Sequence, residues 1–212
     1  MRPGQPRWRR RKDARPAEIV SAALEVFAEK GFAAARLDDI AARAGVSKGA
    51  LYLYFETKQE LFEAVVRDAV LPDLDAVGQA AANPDLTLRQ LAPILAARVA
   101  QVLTTSRVPA VAKMVIAESR NFPDLARVWH DQVVSRALGF LTGVIEAAQG
   151  RGEVRPGDPR YHALSLAGPM LMGVLWREVL EPVGAEPIDL AALAGQHVEA
   201  ALFGLLTEEQ RA

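Results

Sequence analysis

The sequence predicts an all-α protein, with an N-terminal three-helix helix-turn-helix domain followed by a C-terminal helical bundle. Three observations carry that prediction. Alanine and leucine dominate, and β-branched residues rarely cluster in alternating runs, which favours helix over strand. Apolar residues recur at spacings of three and four along most of the chain, the period of an amphipathic helix. Gly, Pro and Asn-Pro or Asp-Pro pairs punctuate those runs where loops are needed.

The elements follow in order. Residues 1–14, MRPGQPRWRRRKDA, form a polar, Arg-rich arm without helical periodicity. Pro16 suits the first turn of a helix, which Ile19, Ala22, Ala23, Val26 and Phe27 continue and Gly31 ends as a left-handed cap. A second short helix spans residues 37–44, Gly45 breaks it, and Ser47 caps a third over 48–55. Thr57 and Glu60 stand three apart before Leu61 and Phe62, a capping box that starts a fourth helix reaching about Val77, with a disturbance expected near Pro72. Asn83-Pro84-Asp85 is a turn signal. Helices are then expected over about 87–105 and 108–120, with a break at 121–124. A long helix reaches about Gln149, one runs from Asp158-Pro159 to about Leu180, and the last spans about 187–206. The expected division is therefore a 1–14 arm, a 15–62 helix-turn-helix domain and a 63–212 helical body.

With 212 residues the chain can bury a full core. Its net charge of −1 hides an asymmetry. Residues 1–60 carry 12 Lys/Arg against 8 Asp/Glu, and residues 61–212 carry 13 against 18. A basic head on an acidic body suggests that the head alone meets a polyanion. There is no cysteine, which excludes disulfides and thiolate metal sites, and the three histidines (His130, His162, His197) are far apart. No HExxH, phosphate loop or Ser/His/Asp arrangement stands out, so neither enzymatic activity, nor a metal, nor a cofactor is expected. The longest uncharged run, residues 161–176, falls short of the roughly 20 apolar residues of a membrane span. No apolar segment follows the basic N-terminus, so a signal peptide is not expected and a cytoplasmic location is.

The third helix carries the functional signal. On a wheel of 100° per residue, Leu51 and Phe55 point to the core and Leu53 lies opposite, flanked by Gly49 and Ala50. Tyr52 and Tyr54 sit at the edges. A surface helix ordinarily shows charged groups to water. Small residues instead let a helix approach the floor of the DNA major groove. There Leu53 and the Tyr52 ring can meet a thymine methyl, and Lys48 can donate to guanine O6/N7. Ser47, Tyr54 and backbone N–H groups can reach phosphates, as can Lys58 in the first turn of the next helix. Ala41 and Gly45, four apart, suit the close crossing and the turn of a helix-turn-helix.

Residues 15–62 resemble the DNA-binding domain of the TetR family of bacterial transcriptional regulators. The residues that carry the likeness are Ile19, Val20, Ala22, Ala23, Phe27, Gly31 and Phe32, then Ile40, Ala41, and Ala44 through Tyr52, with Tyr54, Phe55, Lys58 and Leu61. The resemblance implies DNA contact by Arg36, Ser47, Lys48, Gly49, Ala50, Tyr52, Leu53, Tyr54 and Lys58. One departure is visible: Ala35-Arg36 stands where the family often has a Thr or Ser cap, so Arg36 either leaves the helix differently capped or contacts phosphate itself. Tyr52 and Tyr54 could instead support the first helix, Lys58 could be a solvated lysine, and the arm is either a solubility tail or a contact to the minor groove or backbone.

The resemblance also implies a helical ligand-binding and dimerisation body, and a homodimer bound to double-stranded DNA. Met114 to Trp129 resembles a stretch common in one group of these bodies. Leu164, Gly168, Leu171 and Leu175 form one stripe on the penultimate long helix, and Leu193, His197, Ala201 and Leu205 lie on the last; both are candidates for the dimer interface or for intrachain core. Met114, Glu118, Phe122, Trp129, Phe140, Met170, Trp176 and Arg177 are candidates to enclose an unidentified small-molecule effector, or are plain core and solvated charge. The expected function is a repressor that binds a palindromic operator as a dimer and is released by a small molecule. The alternative is a ligand-independent or architectural DNA-binding protein.

Overall fold

The computed structural model describes residues 15–81 and 86–211; the arm and the Asn83-Pro84-Asp85 turn lie outside the described residues. The head comprises α1 (Arg15–Ala34), α2 (Leu37–Arg43) and α3 (Lys48–Tyr52). From it α4 (Lys58–Val65) runs through a π-helical turn (Val66–Val70) into α5 (Leu71–Ala81). The body adds α6 (Leu88–Thr105), α7 (Val108–Glu118) and α8 (Pro123–Trp129), the last joined by a π turn (His130–Val134) to α9 (Ser135–Gly150). It ends with α10 (Pro159–Leu175), a π turn (Trp176–Leu180), α11 (Leu190–Leu205) and the short α12 (Glu208–Arg211). The described residues contain no β-strand, only an isolated bridge between Val154 and Leu206.

The helix boundaries have local causes. Gly31, with φ +75°, breaks the helical path inside the last turn of α1. The Ser47 side chain accepts from the Ala50 N–H to start α3, and Thr57 accepts from the Glu60 N–H to start α4. Asp158 and Asp189 cap α10 and α11 in the same way. The disturbance expected near Pro72 is the π turn just before it. Proline has no N–H to return to the carbonyl four residues back, and the widened turn accommodates that loss.

One apolar cluster joins head and body. Phe27, Ile40, Leu51, Leu61 and Phe62 are almost fully buried, and the same cluster continues to Met114, Val115, Leu125 and Val133. Each such large side chain contributes roughly 1.5–3 kcal/mol on burial. Phe32 is its aromatic centre, with ring centroids 5.3 Å from Phe27, 6.1 Å from Phe62 and 5.1 Å from Phe122. A second cluster, around Leu88, Ile145, Ala148, Val198 and Leu202, holds α6, α9 and α11 together.

Within the continuous helical stretch Pro159–Val183 an 18-residue window reaches a mean hydropathy of 1.3, long and apolar enough to cross a membrane by length and composition, although the uncharged run inside it is shorter. In the fold it packs against α9 and α11. Its other side leaves Tyr161, Leu164, Leu171, Met172 and Val179 exposed.

Candidate nucleic-acid interface

The head presents α3 outward. Leu51 is fully buried and Phe55 nearly so, which anchors the helix, while Leu53 is 83% exposed at the opposite side. Tyr52 and Tyr54 are exposed at the edges, and Gly49 opens onto free space. The turn before α3 rests on Gly45, whose φ of +66° is a conformation that side chains disfavour, and the Val46 N–H closes it on the Ala41 carbonyl at 3.0 Å. The result is a short convex surface with an apolar summit and a polar rim.

Lys48 stands on that rim. Its Nζ lies 2.8 Å from Asp38 Oδ1 in the first turn of α2 and 5.9 Å from the Tyr52 ring centre. The hydrogen bond to Asp38 holds the lysine pKa above its ordinary value. Arg36 is exposed at the N-cap of α2 and makes no side-chain cap, so the guanidinium side chain is not used to start that helix. Arg43 ties α2 to α1 instead, through Glu25 at 2.9 Å and Glu29 at 2.8 Å.

Lys58 is placed differently from the expectation of a phosphate contact. It is half-buried, and its Nζ donates to the carbonyls of Phe32 at 2.6 Å and Ala33 at 3.2 Å, 4.6 Å from the Phe32 ring centre. Burial lowers its pKa. The ammonium closes the C-terminal end of α1, whose last carbonyls have no partner within the helix. From the body, Glu118 Oε1 accepts from the Ala33 N–H at 3.1 Å, so both charges grip the same end of α1.

In the body, α6, α9, α10 and α11 line a partly open, largely aliphatic cavity of about 180 Å³.

The pattern that defines "Bacterial regulatory proteins, tetR family" matches residues 19–65, and that of the "AefR-like transcriptional repressor, C-terminal domain" matches residues 89–202, more than half of the chain. The chain belongs to the TetR family of bacterial transcriptional regulators. The HTH-type transcriptional repressor BepR of Brucella suis biovar 1 is 30% identical over 155 residues, covering 68% of this chain and 73% of BepR. The HTH-type transcriptional activator FasR of Mycolicibacterium smegmatis is 45% identical over 69 residues, 32% of each chain. A TetR-family regulator from Mesorhizobium loti superposes with a TM-score of 0.77 at 25% identity, over 93% of this chain and 99% of that one. FadR of Bacillus subtilis, solved with stearoyl-CoA, shares the fold with a TM-score of 0.73 at 21% identity, over 89% and 98% of the two chains.

In this TetR-family chain the body residues singled out from sequence scatter. Met114 and Trp129 pack in the head-side cluster and Phe122 lies edge-on against Phe32. Glu118 holds the end of α1, and Phe140 fills the space beside Gly78. Trp176 Nε1 donates to the Glu186 carbonyl at 2.8 Å, and Arg177 donates to the Leu103 carbonyl at 3.0 Å and to that of Thr104 at 3.3 Å. Of the eight effector candidates, Met170 alone lines the cavity. The rest of its wall includes Ala92, Ala96, Ala137, Ala167 and Ala194, whose small size leaves the space. Nothing marks such alanines in a sequence rich in alanine.

The interface candidates divide by helix. Leu164, Gly168 and Leu171 on α10 are exposed and Leu175 is half-buried. On α11, Leu193, His197 and Ala201 are half-buried, and Leu205 is buried within its own chain. Tyr161, exposed on the α10 face, and Phe203, 72% exposed on α11, were not singled out.

Proposed function

We propose that this TetR-family regulator is a repressor that binds a palindromic operator as a homodimer and is released by a small molecule. The observation that carries the DNA reading is the bare, convex outer face of α3, with Leu53 at its summit and Lys48, Tyr52 and Tyr54 around it. Gly49 and Ala50 would let that face approach base edges, with Arg36, Ser47 and Tyr54 the proposed contacts to the flanking phosphates. Lys58 acts as a positioning residue that fixes α1 against α4. The exposed apolar face of α10 supports a two-fold interface, which would set two reading helices about one turn of DNA apart. The cavity supports a ligand-responsive body over a ligand-independent one, and the stearoyl-CoA complex of FadR shows that this fold accommodates a ligand. Glu118 gives the body a grip on the head, through which a change of body shape would alter the spacing of the two reading helices.

Selection of bound duplexes from a randomised DNA pool tests this reading. The intact protein is expected to recover a palindrome, and a Lys48→Ala, Tyr52→Ala variant is expected to recover it weakly or not at all. Equal enrichment by both proteins, or none by either, would move the DNA-reading surface away from α3.

A further inference from the structure

The cavity between α6, α9, α10 and α11 is aliphatic almost throughout, with Leu95, Val99, Leu141, Ile145 and Met170 in its wall. His197 of α11 is the one polar side chain among the described residues that line it. The Nε2 atom of His197 is buried and has no hydrogen-bond partner in the protein. Buried polar atoms in folded proteins nearly always find a partner, so an unpartnered ring nitrogen at an apolar cavity points to a ligand that supplies one. A single water is poorly suited, because a buried water needs two to four polar neighbours and this wall provides one.

We propose that the cavity binds a compact, neutral apolar molecule that carries one hydroxyl group, with the hydroxyl on His197 Nε2. The proposal rests on the effector reading above and names its ligand class. Size sets the first limit: an aliphatic cavity of about 150 Å³ holds benzene, so this one suits a ring with a short alkyl chain. Polarity sets the second. A hydroxyl both donates and accepts, so it satisfies Nε2 in either tautomer of the neutral imidazole, whereas a carbonyl satisfies only one. Charge sets the third. No Lys or Arg lines the wall, and a carboxylate there would lose its hydration without a fixed cation to replace it.

The test is calorimetric titration of the full-length protein with 4-propylphenol, with propylbenzene, which has the same shape without the hydroxyl, and with hexanoate. One 4-propylphenol is expected per chain, about tenfold tighter than propylbenzene, with hexanoate weakest. A His197→Leu variant is expected to bring the two aromatic affinities within about threefold of each other. Ala137→Leu, which extends a side chain into the cavity, is expected to abolish binding of both, with thermal melting of each variant confirming that it folds. Equal affinities for the phenol and the hydrocarbon in the unaltered protein would overturn the proposal, whatever the variants do. So would strongest binding of hexanoate, a preference for phenol that survives His197→Leu, or no binding at all. Operator affinity measured on the same samples separates this from the effector reading. Binding of 4-propylphenol without operator release would leave the site and detach it from the effector reading, whereas operator release by another compound with no binding of 4-propylphenol would sink the site and leave the effector reading.

Discussion

Lys48 sits on the rim of α3 with its ammonium 2.8 Å from Asp38 Oδ1, both side chains more than half exposed. In the free protein the aspartate occupies the cation that we propose DNA contacts, and it would stand close to the phosphates once bound. Asp38→Asn is therefore expected to tighten operator binding by about three- to tenfold at low salt, where unscreened charge counts most. Lys48→Ala is expected to weaken binding and to make the logarithmic salt dependence shallower by about 0.9 per subunit. Lys58→Met provides the contrast. Its ammonium already serves the end of α1, so it should leave the salt slope unchanged while costing about 1–2 kcal/mol of stability. Affinity titrations across a salt series and denaturant melts check all three; a salt slope that flattens with Lys58→Met would return that lysine to the phosphate-contacting set. The sequence made Lys48 and Lys58 look alike, because each follows a capping residue at a helix start. What separates them is Phe32, distant in the chain, whose carbonyl and ring draw one ammonium inward.

Among the elements, α6 depends on a residue far from it in the chain. Glu153 lies in the loop after α9 and is 5% exposed, and it is the buried charged side chain among the described residues. Its Oε2 accepts from the Leu88 N–H at the start of α6 at 2.7 Å, and its Oε1 accepts from Arg151 Nε at 2.6 Å. The arginine, helped by the Leu88 N–H, holds the carboxyl pKa below its ordinary 4.5. A carboxyl whose pKa is lower folded than unfolded stabilises the protein above the unfolded value, and that stability is lost as pH falls through the folded value. Glu153→Gln is thus expected to cost about 1–2 kcal/mol at neutral pH. The difference in Tm between the two proteins should shrink as pH is lowered below about 4.5. A difference that stays constant from pH 7 to pH 3 would show that shape rather than charge matters at this site. The caps Ser47, Thr57 and Asp158 were legible because each acts within three residues of itself. Glu153 acts across 65 residues, and no local pattern marks it.

For the whole molecule, the proposed assembly rests on the α10 face. Leu171 and Met172 are 50% and 51% exposed, with Tyr161 and Leu164 on the same helix. An apolar face of this kind on a single chain is the surface we propose for the partner. Leu171→Glu is expected to shift the protein to a monomer in sedimentation at micromolar concentration, with operator affinity reduced by more than about 100-fold because the two half-sites then bind independently. A dimer that persists unchanged would place the interface elsewhere, with the exposed side of α11 around Phe203 the next surface to alter.

The sequence by itself determined the helices, most of their ends, and the outward face of α3, because periodicity, caps and turns act within a few residues. It therefore supported the family and the DNA-reading surface together. Tertiary structure decided which faces meet. It turned Lys58 and Glu118 onto one end of α1, buried Leu205 in its own chain, and left a cavity behind a row of alanines with His197 at its wall. Those outcomes depend on how distant helices cross, and a side chain's type does not record what another helix will place against it.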